Sequence, residues 1–169
     1  IVAEIKPYEY SSLEDIVNKL DMETNPILVM LDGINDPHNF GAILRSCDIF
    51  GVSGVIIGKH QQVALTGTVA KTSAGAINFV PVCQVNNLNQ SLDFLKERGF
   101  WVVSTDGSAT TNYFDVKYDF PTVLIIGSEG DGISHLLLKN SDYIVKIPML
   151  KNFNSLNVSN AFAAIIFET

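Results

Sequence analysis

Val123-Leu124-Ile125-Ile126-Gly127-Ser128-Glu129-Gly130-Asp131-Gly132 is an apolar strand that runs directly into a loop of small and polar residues. A second junction of the same kind follows. Ile147-Pro148-Met149 leads, after a short gap, to Ser155-Leu156-Asn157-Val158-Ser159, which opens an apolar segment. Loops built this way expose backbone N–H and C=O groups. Two of them in one domain point to a small ligand held mainly by main chain.

Working outward, further apolar, β-branched runs predict strands at residues 27–31, 54–57, 79–82, 100–104, 122–126 and 143–147. Helical patterns lie between them. Residues 39–50 place Ile43, Cys47 and Phe50 at i, i+4 and i+7. Residues 87–98 place Leu88, Leu92 and Leu95 at the same spacing, with Gly99 as a stop. Ser134 reads as the N-cap of a short helix through Lys139, and Ser12 as the cap of a short helix to Leu20. Residues 156–167 are apolar on almost every side, so the last helix should be buried by the sheet and by a partner chain. Strands apolar on both faces, alternating with helices, specify an α/β fold with a largely parallel sheet flanked by helices. Ligands of such sheets sit beyond the carboxyl ends of the strands. Three loops take that position: residues 32–39, 127–132 and 148–154.

Composition narrows the possibilities. The chain has 169 residues, 47% hydrophobic and 17% charged, which suits one folded domain. No apolar run approaches the roughly 20 residues that span a bilayer, so no membrane role is expected. The start, Ile1-Val2-Ala3-Glu4, is neither an initiator Met nor a signal peptide, and reads as the beginning of a fragment. Cys47 and Cys83 are the only cysteines, in apolar surroundings, and are expected as buried thiols of a cytoplasmic protein. His38, His60 and His135 are scattered and give no metal-ligand spacing. A net charge of −7 argues against gripping nucleic acid by charge alone. The acid is concentrated early, with six acidic and two basic residues in 1–30, whereas Lys146 and Lys151 face only Glu168 after residue 144.

Individual residues carry more. Gly127-x-x-Gly130-x-Gly132 has the wrong spacing and place for a dinucleotide fingerprint. Glu129 among these glycines would repel a phosphate, so the loop is not a phosphate cradle. Asn39 has an ordinary reading as a helix N-cap. Arg45 lies among Ala42, Ile43, Leu44, Cys47 and Ile49, where an unpaired cation is costly. It is expected to find a partner in Glu129, Asp48 or a bound phosphate. Arg98, the other arginine, reads as a helix C-terminal cation. Ser155-x-Asn157-x-Ser159 places three small polar groups at a helix start, more than capping alone requires.

Together these segments resemble the three motifs of the SpoU (TrmH) family of RNA ribose 2′-O-methyltransferases, in the SPOUT class. The likeness rests on Asn39-x-Gly41-x-x-x-Arg45, on Gly127-Ser128-Glu129-Gly130-x-Gly132, and on Ile147-Pro148-Met149-x₅-Ser155-Leu156-Asn157-Val158-Ser159. Lys71-x-Ser73-Ala74-Gly75-Ala76 also fits a family segment. The resemblance implies a C-terminal trefoil knot, an exception to the rule against knots. It implies S-adenosylmethionine as cofactor, held by Gly127, Ile147, Met149 and Leu156. It implies an active site of Arg45, Asn39, Glu129, Ser155 and Asn157, with Arg45 binding a substrate phosphate and orienting the 2′-OH. It also implies a homodimer through the last helix and an RNA substrate, ribosomal (23S) ahead of transfer RNA. Residues 1–25 resemble a linker that follows an RNA-binding domain, leaving 26–169 as the catalytic domain. Two positions depart from the family pattern: Leu150-Lys151-Asn152-Phe153-Asn154, usually small and glycine-containing, and Asn160, usually apolar.

Overall fold

A computed structural model describes residues 8–60, 64–128, 130–148 and 158–169. Seven strands form one sheet: β1 (Ile27–Asp32), β2 (Gly54–Gly58), β3 (Val82–Val85), β4 (Trp101–Thr105), β5 (Thr111–Asn112), β6 (Thr122–Gly127) and β7 (Tyr143–Lys146). Their order is β3-β2-β1-β6-β4-β7-β5, and every neighbouring pair is parallel. The helices are α1 (Leu13–Asn18), α2 (Pro37–Ile49), α3 (Gly67–Thr72), α4 (Leu88–Glu97), α5 (His135–Lys139) and α6 (Val158–Glu168).

The helices form a layer on each face. Val29, Leu31, Leu124 and Ile126 pack with Phe40, Ile43, Leu44 and Cys47 of α2 and with Phe162, Ile165 and Ile166 of α6. Leu28, Met30, Val123 and Ile125 point the other way, towards Ile16 of α1, Leu92 and Leu95 of α4 and Leu137 of α5. Alternate residues of one strand therefore enter opposite cores, which is why β1 and β6 are continuous apolar runs. Each fully buried aliphatic side chain contributes roughly 1.5–3 kcal/mol. β1 and β6, lying side by side at the middle of the sheet, carry the largest share.

The expected strands and helices largely recur, with instructive shifts. β3 begins at Val82 rather than at Phe79. A 3-10 turn at Ala76–Asn78 precedes it, Phe79 is 75% exposed, and Pro81 has no N–H to give to a ladder. Pro81 still accepts from Val55 N–H at 2.9 Å, so pairing starts there and is completed from Val82 onward. α2 begins at Pro37 because Asp36, not Asn39, is the cap: its carboxylate accepts from His38 N–H at 2.8 Å. Asn39 therefore stands in the first helical turn. α3 and the two-residue β5 are additional to the expected elements.

Gly41, one turn into α2, lets α3 approach. A Cβ there would lie 2.5 Å from Thr72 Cβ and 3.0 Å from Ser73 N. The lead-in is tied to the same face of the molecule. Tyr10 Oη accepts from Leu65 N–H at 3.1 Å, and Ser11 N–H donates to Val82 O at 2.9 Å. Ser12 caps α1 as expected, accepting from Asp15 N–H at 3.0 Å. The expected knot turns on the path of residues 149–157, which lie outside the described residues.

Candidate functional site

The carboxyl ends of β4, β6 and β7 open onto a cleft of about 350 Å³. Its walls have three chemical characters. Ile126 and Gly127 at the end of β6, with Gly130–Gly132 beyond, give a wall of exposed main chain. Thr105-Asp106-Gly107 after β4 gives a second polar wall. Val145 and Ile147, with Val158, Ala161 and Ile165 of α6, give an apolar side.

The glycine loop is shaped by close backbone approach. A Cβ on Gly127 would collide with the carbonyl carbon of Gly132 and with Ile133 N, and would lie 2.6 Å from Gly132 O. Only glycine permits the loop to fold back on the strand end at this position. Gly132 N–H donates to Ser128 O at 3.0 Å, and Asp131 N–H to Ser128 Oγ at 3.2 Å. Gly132 takes a φ of 66°, which closes the turn. Beyond it, Ser134 N–H donates to Asp32 Oδ2 at 2.7 Å. Asp32 is the register partner of Gly127 on β1, so the loop is pinned at both ends to adjacent strand termini. Ser134 occupies the N-cap position of α5 as expected, but its side chain makes no capping bond.

The Asp106 wall is also fixed. Its N–H donates to Val145 O at 2.9 Å, and its Oδ1 accepts from both the N–H and the hydroxyl of Ser108 at 2.9 Å. This wall was missing from the three loops anticipated at the strand ends. The signal was present as an Asp-Gly pair directly after a strand, but it reads as an ordinary turn.

Of the anticipated site residues, Gly127 and Ile147 line the cleft. Asn39 and Arg45 do not line it; they sit on α2, which packs against α6. Glu129, Met149, Ser155, Leu156 and Asn157 lie outside the described residues, as does the departure at 150–154.

Arg45 is not in the apolar surroundings expected for it, and Glu129, one of its expected partners, lies outside the described residues. Arg45 is exposed, and it makes no ion pair among the described residues. α2 turns Phe40, Ile43, Leu44 and Cys47 to the core, at i, i+3, i+4 and i+7, and this leaves Arg45 and Asp48 on the solvent side. No burial cost forces a partner on the guanidinium. Phe50, expected on the core face, is 40% exposed and meets Phe167 edge-on at 6.0 Å. Arg98 does cap the C-terminus of α4, where its guanidinium also lies 3.6 Å over the Phe94 ring. Cys47 and Cys83 are buried free thiols, and burial pushes both thiols up from their ordinary range.

The arrangement has relatives. The SpoU rRNA Methylase family model matches residues 26–167. A protein of Staphylococcus haemolyticus named as a TrmH family tRNA/rRNA methyltransferase is 46% identical over 169 residues, covering 99% of this chain and 68% of that protein. The SpoU methyltransferase AviRb from Streptomyces viridochromogenes superposes with a TM-score of 0.86 at 29% identity, covering 95% of this chain. The present chain spans 63% of the AviRb chain. AviRb has also been crystallised in complex with the cofactor AdoMet, and in that form it matches with a TM-score of 0.85 at 30% identity over 93% of this chain and 60% of the AviRb chain. The A. aeolicus TrmH/SpoU tRNA modifying enzyme gives a TM-score of 0.78 at 31% identity, over 92% of this chain and 79% of its own. With the family model matching residues 26–167 and a relative 46% identical over 99% of this chain, the chain belongs to the SpoU rRNA methylase family.

Proposed function

We propose that the chain is the catalytic part of an RNA methyltransferase that moves a methyl group from S-adenosylmethionine to a ribose 2′-OH, with ribosomal RNA as its substrate. The observation that carries this reading is the cleft at the ends of β4, β6 and β7, in a fold whose relative AviRb is known with AdoMet bound.

The residues present fit the cofactor. The main chain of Gly127, Gly130 and Gly132 offers N–H and C=O groups for an adenine edge and ribose hydroxyls. Val145, Ile147, Val158 and Ile165 offer an apolar side to the ring. Asp106 and Asp131 outnumber Lys146 among the charged lining residues, which suits a ligand bearing sulfonium and ammonium charge and opposes a phosphate. When bound, S-adenosylmethionine supplies an electrophilic methyl group on sulfur.

The chain's own residues do the rest. Gly127 and Ile147, with Met149 and Leu156, hold the cofactor. The apolar α6 side excludes water. Arg45 presents an exposed guanidinium that binds an RNA phosphate and orients the neighbouring ribose. Asn39, Glu129, Ser155 and Asn157 complete the site around the 2′-OH. Positioning of this kind contributes up to roughly 7–11 kcal/mol to a bimolecular transfer. The 2′-OH proton leaves by way of the phosphate or water.

The same reading includes a cytoplasmic homodimer through α6, with the C-terminal segment knotted. Phe167 at 73%, Ile49 at 65% and Phe50 form an exposed apolar group at the adjoining ends of α6 and α2, which supports an interface there. Asn160 is exposed on the same helix.

Calorimetric titration with S-adenosylmethionine, followed by transfer of its labelled methyl group to ribosomal and transfer RNA, tests the proposal. Saturable binding with label in ribosomal RNA is expected. Binding without transfer to either RNA would make the chain a cofactor-holding module instead, and label in transfer RNA alone would change the substrate.

A further inference from the structure

We propose that a second cleft, at the carboxyl ends of β1, β2 and β3, binds one nucleotide of single-stranded RNA flanking the methylation target. The inference rests on the RNA methyltransferase reading and extends it to a site on the opposite face of the sheet.

This cleft has a volume of about 250 Å³. Asp32, Lys59, His60, Asn86, Asn87 and Asn89 supply its polar lining, over an apolar floor of Leu88 and Leu137. It opens at the same end of the sheet as the cofactor cleft. Ile133 lines one cleft and Ser134 the other, so the end of the glycine loop is the wall between them. A strand of RNA whose target ribose faces the first cleft can therefore place a neighbouring nucleotide in the second.

The chemistry of the lining fits a nucleotide better than a small anion or an apolar ligand. Lys59 and His60 are adjacent, exposed cations or potential cations in a chain of net charge −7. Lys59 makes no ion pair among the described residues. Asp32, the one carboxylate in the lining, is already engaged by Ser134 N–H. A phosphodiester can reach both basic side chains. The asparagines are more informative. Asn87 Oδ1 caps α4, accepting from Gln90 N–H at 3.1 Å, which accounts for one of the three. Asn89 Oδ1 is buried with no hydrogen-bond partner. A buried acceptor in that state costs about 1–3 kcal/mol. Amides offer donors and an acceptor together, the combination that reads the edge of an unstacked base. At about 250 Å³ the space suits one base and not a large cofactor.

The test uses the chain with a fluorescein-labelled random-sequence RNA octamer. Anisotropy is read across a salt series, backbone amides by NMR, and S-adenosylmethionine affinity by calorimetry on the same samples. RNA should shift the amides of Lys59, Asn86, Asn87 and Asn89. Lys59→Gln should lower the slope of log affinity against log salt by about 0.7, the loss of one single-strand phosphate contact. Asn89→Ala should weaken RNA binding about fivefold or more, with the salt slope unchanged. Cofactor affinity should stay at the wild-type value in both. If RNA binds while these amides stay still and both variants bind like wild type, the second cleft is not an RNA site, although the methyltransferase reading stands. If inorganic phosphate moves the same amides and RNA does not, the cleft is a small-anion site and the proposal fails. If neither S-adenosylmethionine nor RNA binds, both readings fail together.

Discussion

The carboxylate of Asp32 and the backbone N–H of Ser134 are joined across 102 residues of sequence by a hydrogen bond of 2.7 Å. Asp32 closes β1 beside Gly127 in register, and Ser134 lies just past the glycine loop. One carboxylate thus holds the far end of a loop whose near end is the strand terminus next door.

Asp32→Ala should therefore loosen the loop more than the fold. A hydrogen bond to a charged acceptor is worth about 1.5–3 kcal/mol when buried, and this partly exposed one about 1 kcal/mol. Calorimetry should show S-adenosylmethionine binding about five- to tenfold weaker, with a small drop in thermal midpoint. Asn at position 32 keeps an acceptor and should recover most of the loss. Equal losses in Asp32→Asn and Asp32→Ala would show that the charge, not the tether, is what matters.

Gly127→Ala and Gly130→Ala form a matched pair. A Cβ at 127 collides with the backbone of Gly132 and Ile133, whereas at 130 it meets nothing within 4 Å. The first should cost about 1–3 kcal/mol of stability by overpacking and abolish measurable cofactor binding. The second should leave the unfolding free energy within about 0.5 kcal/mol of wild type. Chemical denaturation of both variants reads the contrast directly.

Arg45→Ala should leave stability and cofactor affinity unchanged, because the side chain is exposed and carries no ion pair among the described residues. Methyl transfer to RNA should fall by about a hundredfold or more, as expected for loss of a group that orients the reacting hydroxyl. Lys at this position keeps the charge but not the planar fork, and should restore only part of the rate. Near-normal turnover by Arg45→Ala would remove Arg45 from the site.

The buried thiols make a pH prediction. Burial raises the Cys47 thiol above its ordinary value, chiefly by desolvating the thiolate, with Asp48 adding to the effect. The folded state then holds its proton where the unfolded state releases it. This contribution to stability is fully present below about pH 9 and is lost as pH rises further towards the folded value, by up to about 1.4 kcal/mol per pH unit. Subtracting the stability–pH curve of Cys47→Ala from that of wild type should isolate that slope. A flat difference above pH 9 would mean that Cys47 ionises in place.

What was legible in the sequence follows from layering. β1 and β6 are covered on both faces, so each is an unbroken apolar run that announces itself. The start of β3 is not legible because Phe79 is as apolar as a core residue yet lies exposed ahead of Pro81, and apolarity cannot tell the two situations apart. α3 is not legible because Gly67-Thr68-Val69-Ala70-Lys71-Thr72 has one buried residue and no repeating face. The glycine wall of the cleft was legible because close backbone approach demands glycine at 127. The Asp106 wall was not, because any turn could carry Thr105-Asp106-Gly107. The neighbours of Arg45 in sequence are apolar, whereas helical geometry turns it away from them.

The most direct test of ribose methylation is the identity of the methylated nucleoside. Ribosomal RNA is incubated with the chain and labelled S-adenosylmethionine, digested completely to nucleosides, and resolved by mass spectrometry. The label should appear in a single 2′-O-methylnucleoside, and should vanish with Gly127→Ala. Label in a base-methylated nucleoside, with the ribose unmodified, would contradict the proposed function.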